Sequence, residues 1–216
     1  EIEDQLLKGH PDGVGDRESL AARHNRALIE AANGELAAAL RDYRQAGAHA
    51  ERVGWLWGQA AAGNDIGSLL LVCGRPHRAA ALLGRSRGVS ERLGQEADVA
   101  SSLADEAEAL LLAGQPREAD ARLDRAEGLP GVERQALARG QCALARAVGL
   151  HLGGHAQGAI AKCDELLGGA ALRGLPHAKV AARRAAFVAA MDPGEAEVVW
   201  RGALRHILRS RDRRYV

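Results

Sequence analysis

This sequence predicts an all-α fold, a solenoid of five antiparallel helix pairs, and three observations predict it. The first is a spacing: Gly34, Gly74, Gly114, Gly154 and Gly194 stand 40 residues apart, and Gly54, Gly94 and Gly174 mark the half-period. Fixed self-similarity in that range signals a repeat array, in which each unit buries its apolar face only against its neighbours. The second is composition. The 216 residues include 26 glycines but only three Trp, two Tyr and one Phe, so the core must be built from small side chains on closely approaching helices. The third is periodicity: apolar residues between the glycines recur at helical spacing, and no strand-like alternation is apparent.

Taken in order, residues 1–12 read as the remnant of a preceding repeat's helix, with Ile2, Leu6 and Leu7 apolar, before the breaker run that starts at Pro11. Such a start in mid-repeat is what a fragment of a longer protein would show. Repeat one covers about 17–54, with one helix up to Asn33 and a second from Glu35 to Val53. Repeat two covers about 56–94. Gly74 stops its first helix, and Pro76 opens the second, where a missing N–H is tolerated because first-turn donors have no intrahelical acceptor. Repeat three, about 96–130, uses Gly114 and Pro116 in the same way. The half-period position is then Arg134 rather than glycine, and Pro130 with Gly131 is expected to break the chain instead. Repeat four covers about 132–173. Repeat five, about 177–209, turns at Asp192-Pro193-Gly194, and the charged residues from Ser210 to Val216 are expected to fray. Together the repeats make one domain over 1–216.

Aligning the repeats on the turn glycine predicts which positions pack. Seven residues before it stand Ala27, Gly67, Ala107, Ala147 and Phe187; five after it stand Ala39, Ala79, Ala119, Ala159 and Val199. Small residues there let the two helices of a pair approach. Nine after it come Tyr43, Leu83, Leu123, Cys163 and Ala203, and twelve after it Ala46, Ser86, Ala126, Leu166 and His206. The fifth repeat departs most, with Phe187, Val199 and Trp200, as a cap would.

Charge and cysteine usage bound the function. Lys and Arg total 29 against 28 Asp and Glu, a balance that gives the chain as a whole no field for polyanions. Cys73, Cys142 and Cys163 are odd in number and lack paired spacing, which argues against a disulfide framework or a zinc site and for a reducing, cytoplasmic location. Cys73 and Cys163 sit among apolar neighbours and are expected in the core. The longest apolar runs fall far short of the roughly 20 residues of a membrane span, and no signal-peptide pattern opens the sequence.

The pattern of small residue, turn glycine, Ala, aromatic or Leu, then Ala resembles the tetratricopeptide repeat, in a variety longer than the family's usual repeat. The segments RHNRALIEAANGELAAAL and LADEAEALLLAGQPREADARLDRA are similar, more narrowly, to the repeats preceding the caspase-like CHAT domain of actinobacterial proteins. The resemblance implies a right-handed superhelix whose concave groove is lined by the first helix of each pair. It also implies a scaffold that recognises a protein or peptide, as the regulatory part of a larger bacterial protein such as a CHAT-domain peptidase. An alternative of the same architecture is the ligand-sensing array of a bacterial transcription regulator. Carried over position by position, the family's groove falls on His24, Asn25 and Leu28 of repeat one, Asn64, Asp65 and Ser68 of repeat two, and Asp105 and Glu108 of repeat three. Carboxylates stand where the family's carboxylate-binding groove would need cations, so a polar or basic segment is the expected partner. The competing reading makes Asp105 and Glu108 solvated residues that hydrogen-bond within or between repeats.

Enzyme chemistry is not indicated. His151 and His155 are four apart, as metal ligands on a helix can be, but the predicted turn at Gly153 and Gly154 separates them and no carboxylate completes a set. Cys142 and His151 lie nine residues apart on one expected helix, about 13 Å at 1.5 Å per residue, beyond hydrogen-bond reach. No cofactor motif is found. Arg201, Arg205, Arg209, Arg211, Arg213 and Arg214 make the end of the chain basic, but without interleaved aromatics or a reading module a solvated face, or a lost contact to a missing domain, is favoured over binding of nucleic acid or an acidic partner surface.

Overall fold

The computed structural model describes residues 13–130, 132, 135–169, 175–195 and 197–202, and among these it is helical with no strand. The helices are α1 (Gly13–Ala32), α2 (Leu36–Arg52), α3 (Leu56–Val72), α4 (Pro76–Arg92), α5 (Glu96–Leu112), α6 (Pro116–Glu127), α7 (Ala136–Leu152), α8 (Ala156–Gly168) and α9 (Leu175–Met191). Residues 197–202 begin a further helical segment. The remnant helix expected in 1–12, the glycine at 174 and the arginines from 205 onward lie outside the described residues.

The glycines act through backbone geometry. Gly34, Gly54, Gly74, Gly94, Gly114 and Gly154 all have φ between 65° and 84°, the left-handed region that costs a residue with a Cβ about 1–2 kcal/mol. At each, two hydrogen bonds close the preceding helix. At Gly34 its own N–H donates to the Ala31 carbonyl (3.1 Å) and the Glu35 N–H donates to the Glu30 carbonyl (2.9 Å), the bonding pattern of a Schellman cap. The residue after the glycine then starts the next helix, as when the Glu35 carbonyl accepts from the Ala39 N–H at 3.0 Å. One three-residue linker thus ends one helix and begins another, and the helices from α2 to α8 start 20 residues apart. No side chain caps the N-termini of α2, α3, α4, α6, α7 or α8.

The expected boundaries shift in places. Helix α1 starts at Gly13, inside the stretch taken as a breaker, and α7 starts at Ala136, four residues into the expected fourth repeat. Gly194 is absent from the left-handed set; there the Asp192 carboxylate accepts from the Gly194 N–H at 2.9 Å and supplies the turn locally. Cys73 is exposed rather than core, because it is the residue that ends α3 beside Gly74.

The chain divides into two compact units, Glu1–Gln95 and Glu96–Val216. Within the first, each helix packs antiparallel on the next. Between α2 and α3 the register places Gly47 by Ala62 and brings the Gln59 amide to the Ala50 carbonyl at 3.4 Å. Between α3 and α4, Gly63 faces Ser86 and Gly67 faces Leu83. The second unit packs α5 on α6, α7 on α8 and α8 on α9, and α7 also lies along α5. That last contact is parallel, since Gln141 reaches Asp105 and Gly149 meets Leu111. The core is the set of small residues expected. Ala27, Ala107 and Ala147, and Ala39, Ala79, Ala119 and Ala159, are all fully buried, as are Leu83 and Cys163. Val199 and Leu166 are only half-buried, and Ala203 and His206 lie outside the described residues.

Candidate functional site

In the first unit the groove positions fall on α1 and α3, which a side-chain contact joins. The His24 Nε2 lies 3.1 Å from an Asp65 carboxylate oxygen, and the His24 ring meets Tyr43 edge-on at 5.3 Å between centroids. Burial lowers the His24 pKa from its ordinary value, which favours the uncharged imidazole at neutral pH. Asn25 and Leu28 are exposed, and Asn64, Asp65 and Ser68 are half-buried.

Two residues absent from the sequence-derived groove complete this face. Trp55 and Trp57 lie with ring centroids 5.4 Å apart, and with His24 and Asn25 they line a cavity of about 90 Å³, the size of one small side chain. Trp57 is 44% exposed. The Trp55 ring lies on the backbone of Gly58, where a Cβ would come within 2.3 Å of it, so the glycine makes room for the indole. A signal was there to read: Trp57, Ala61, Asn64, Asp65 and Ser68 recur at helical spacing along α3. The repeat alignment passed over it because Trp57 precedes the aligned groove rows.

The second unit places its two predicted groove residues differently. Asp105 and Glu108 do not face an open channel. Lys179 of α9 lies 3.3 Å from Asp105 and 2.9 Å from Glu108, and Arg183, one turn further on, closes a short contact with Glu108. Glu108 is 2% exposed. Burial pushes its carboxyl up, but the charges of Lys179 and Arg183 outweigh that and hold it at about 2. Burial also raises Asp105, with Lys179 opposing and Glu108 adding to the rise. The expectation of an accessible acidic patch at these positions is therefore corrected. The chain's own cations already occupy them, and Glu108 lies buried beneath the partly exposed Lys179 and Arg183. The cause lies 74 residues away in sequence, beyond what helical spacing alone can connect.

A larger groove of about 640 Å³ opens elsewhere in this unit, among α5, α6, α7 and α8. Leu111, Leu123, Cys142 and Ala145 contribute to its apolar wall. Along one side Arg146 gathers Asp120, Asp124 and Glu127 of α6 at 3.0, 2.7 and 3.0 Å. Burial pushes the Cys142 thiol up to about 11, which keeps it protonated at neutral pH. His151 stacks on Phe187 at 4.5 Å. Among the described residues no group of three or more His, Cys, Asp or Glu could hold a metal ion, and no helix is long and apolar enough to cross a membrane.

Neither a protein-family model nor a curated protein matches this sequence.

Proposed function

We propose that the chain is a recognition scaffold of the tetratricopeptide kind, five helix pairs wound as a right-handed superhelix, which binds a protein or peptide segment and performs no catalysis itself. The observation that carries this reading is the face shared by α1 and α3, where exposed Asn25 and Trp57 flank a side-chain-sized cavity beside the His24 and Asp65 pair. Amides suit the backbone of an extended segment, the indole suits one apolar side chain, and the Asp65 charge favours a polar or basic partner over an acidic one. Of the expected groove residues, those of repeats one and two suit this role. Asp105 and Glu108 are better assigned to holding α9. The setting that fits is the cytoplasmic regulatory region of a larger bacterial protein, such as a CHAT-domain peptidase, and its support is the sequence resemblance alone.

The test is a peptide-array screen followed by titration of the best binders against Asn25→Ala with Trp57→Ala. Binding should weaken at least tenfold while the helical signal is kept, and Glu108→Gln should leave it unchanged. Binders indifferent to the first pair of substitutions would remove the basis of the proposal. The groove of the second unit favours a second reading, a ligand-sensing array of a transcription regulator, because its volume falls in the range of small-molecule pockets, about 300–1,000 Å³.

A further inference from the structure

Three aromatic rings, those of Trp55, Trp57 and His24, line one cavity of the first unit. Trp55 precedes the first turn of α3, and the missing side chain at Gly58 lets its ring lie against that helix. Trp57, two residues on, keeps 44% of its surface exposed. From α1 the His24 ring is held in place by its contacts with Tyr43 and Asp65. The rest of the lining is Asn25, Leu20, Gly58 and alanines. Among the described residues no Lys, Arg, Asp or Glu lines it, and its volume of about 90 Å³ has room for the head group of one side chain.

Such a lining selects by charge and by hydrogen-bonding capacity. Aromatic rings are negative above their faces, so they attract a cation and repel an anion. The lowered pKa of His24 favours an uncharged ring, which does not oppose the cation. The N-terminal end of α3 works against a positive charge. Beside it, however, lies the C-terminal end of α2, of opposite partial charge, where the Ala50 carbonyl accepts from the Trp55 N–H at 2.8 Å. A primary ammonium brings three N–H donors, and of the lining side chains only Asn25 and His24 can accept them. An ammonium whose hydrogens are replaced by methyl groups makes no such demand, and its methyls give the indoles apolar surface to cover. We propose that this cavity binds an N-methylated ammonium group, the head of a methylated lysine side chain or of a free choline-like molecule. The inference deepens the recognition reading and rests on it for one source of the group, a methylated lysine in the bound segment; the site itself does not need that reading.

The experiment is an NMR titration of the isotope-labelled full chain, read at the indole N–H signals, with three probes of one shape and different charge: choline, 3,3-dimethylbutan-1-ol and 3,3-dimethylbutanoate. Choline should shift the Trp55 and Trp57 signals saturably and leave Trp200, outside the lining, in place. It should bind about fivefold or more tightly than either isostere, the size of a partly desolvated cation–π contact. Trp57→Leu keeps apolar surface but removes the ring, and should bring choline down to the level of the alcohol, whereas Trp57→Phe should keep most of the preference. Equal binding of choline and the alcohol, or preference for the anion, would overturn the ligand class. No shift at either indole, or choline binding untouched by Trp57→Leu, would overturn the site. Peptides selected on the array should bind about tenfold more tightly with trimethyllysine than with lysine, the upper range of such contacts. Peptides that need Trp57 but ignore both methylation and competing choline would overturn this inference and leave the recognition reading standing. Choline binding without any peptide hit would do the reverse and assign the head group to a free molecule.

Discussion

Glu108 shows how burial decides the meaning of a single charge. Its carboxylate is nearly sealed from water, while Lys179 and Arg183 remain 38% and 31% exposed. The two sides of the cluster therefore respond differently to loss of a partner. Lys179→Met with Arg183→Met strands a buried anion, and breaking such a pair from one side costs about 3–5 kcal/mol. Glu108→Gln should cost less, because the two cations can turn to solvent. Adding Glu108→Gln to the double Met variant should recover part of the loss. The pH dependence has a definite sign: the folded-state pKa of Glu108 is held at about 2, below its ordinary 4.5. Its contribution is full above pH 4.5 and is lost as pH falls toward 2. Asp105, raised by burial, works in the opposite direction, and because Glu108 adds to that rise, Glu108→Gln removes the Glu108 share and relaxes Asp105 together. Urea titrations across that window should show a shallower acid limb in Glu108→Gln. A Gln variant less stable at pH 7 than the double Met variant would contradict the argument.

At the scale of helices and turns, most of the plan was legible in the sequence, because a turn that needs a left-handed residue must use glycine or accept strain. That rule exposed the six φ-positive glycines and, through them, the 40-residue period. The small-residue rows were legible for a related reason. Gly67 and Leu83 occupy facing rows, and a Cβ on Gly67 would stand 2.6 Å from the Leu83 Cγ. Leu83 is fully buried and cannot withdraw, so Gly67→Ala should destabilise by about 1–3 kcal/mol despite Ala's better helix propensity. A thermal midpoint at or above that of wild type would mean that the two helices can separate without cost. The shortened α6 and the bridge from α9 to α5 were not legible in this way. The first depends on how far a helix runs before Gly128 and Pro130. The second joins residues about 75 apart, and long-range ion pairs leave no periodic trace. The candidate groove was for this reason half legible. The polar residues on α1 and α3 were found, but Trp57 was missed, and Asp105 and Glu108 were assigned an exposure they do not have.

Across the whole chain, stability should behave as a sum of local terms, because each helix buries its face mainly against its immediate neighbours. The division into two compact units at Gln95 and Glu96 gives that expectation a place to be tested. Ala119 is fully buried on α6, in the row of small residues that lets α5 and α6 approach. Ala119→Leu adds volume where none is free, at a cost of about 1–3 kcal/mol. In a single cooperative core that loss would raise the opening rate of every helix alike. In a repeat array it falls first on the helices that touch the altered pair, since local openings have their own free energies. Hydrogen exchange followed by mass spectrometry should therefore show faster exchange in α5, α6 and α7, with the amides of α1, α2 and α3 keeping their wild-type protection. Equal acceleration throughout would show that the chain unfolds as one body. No acceleration anywhere would show that the α5 and α6 interface has room for a larger side chain, and that the row of alanines is not set by packing.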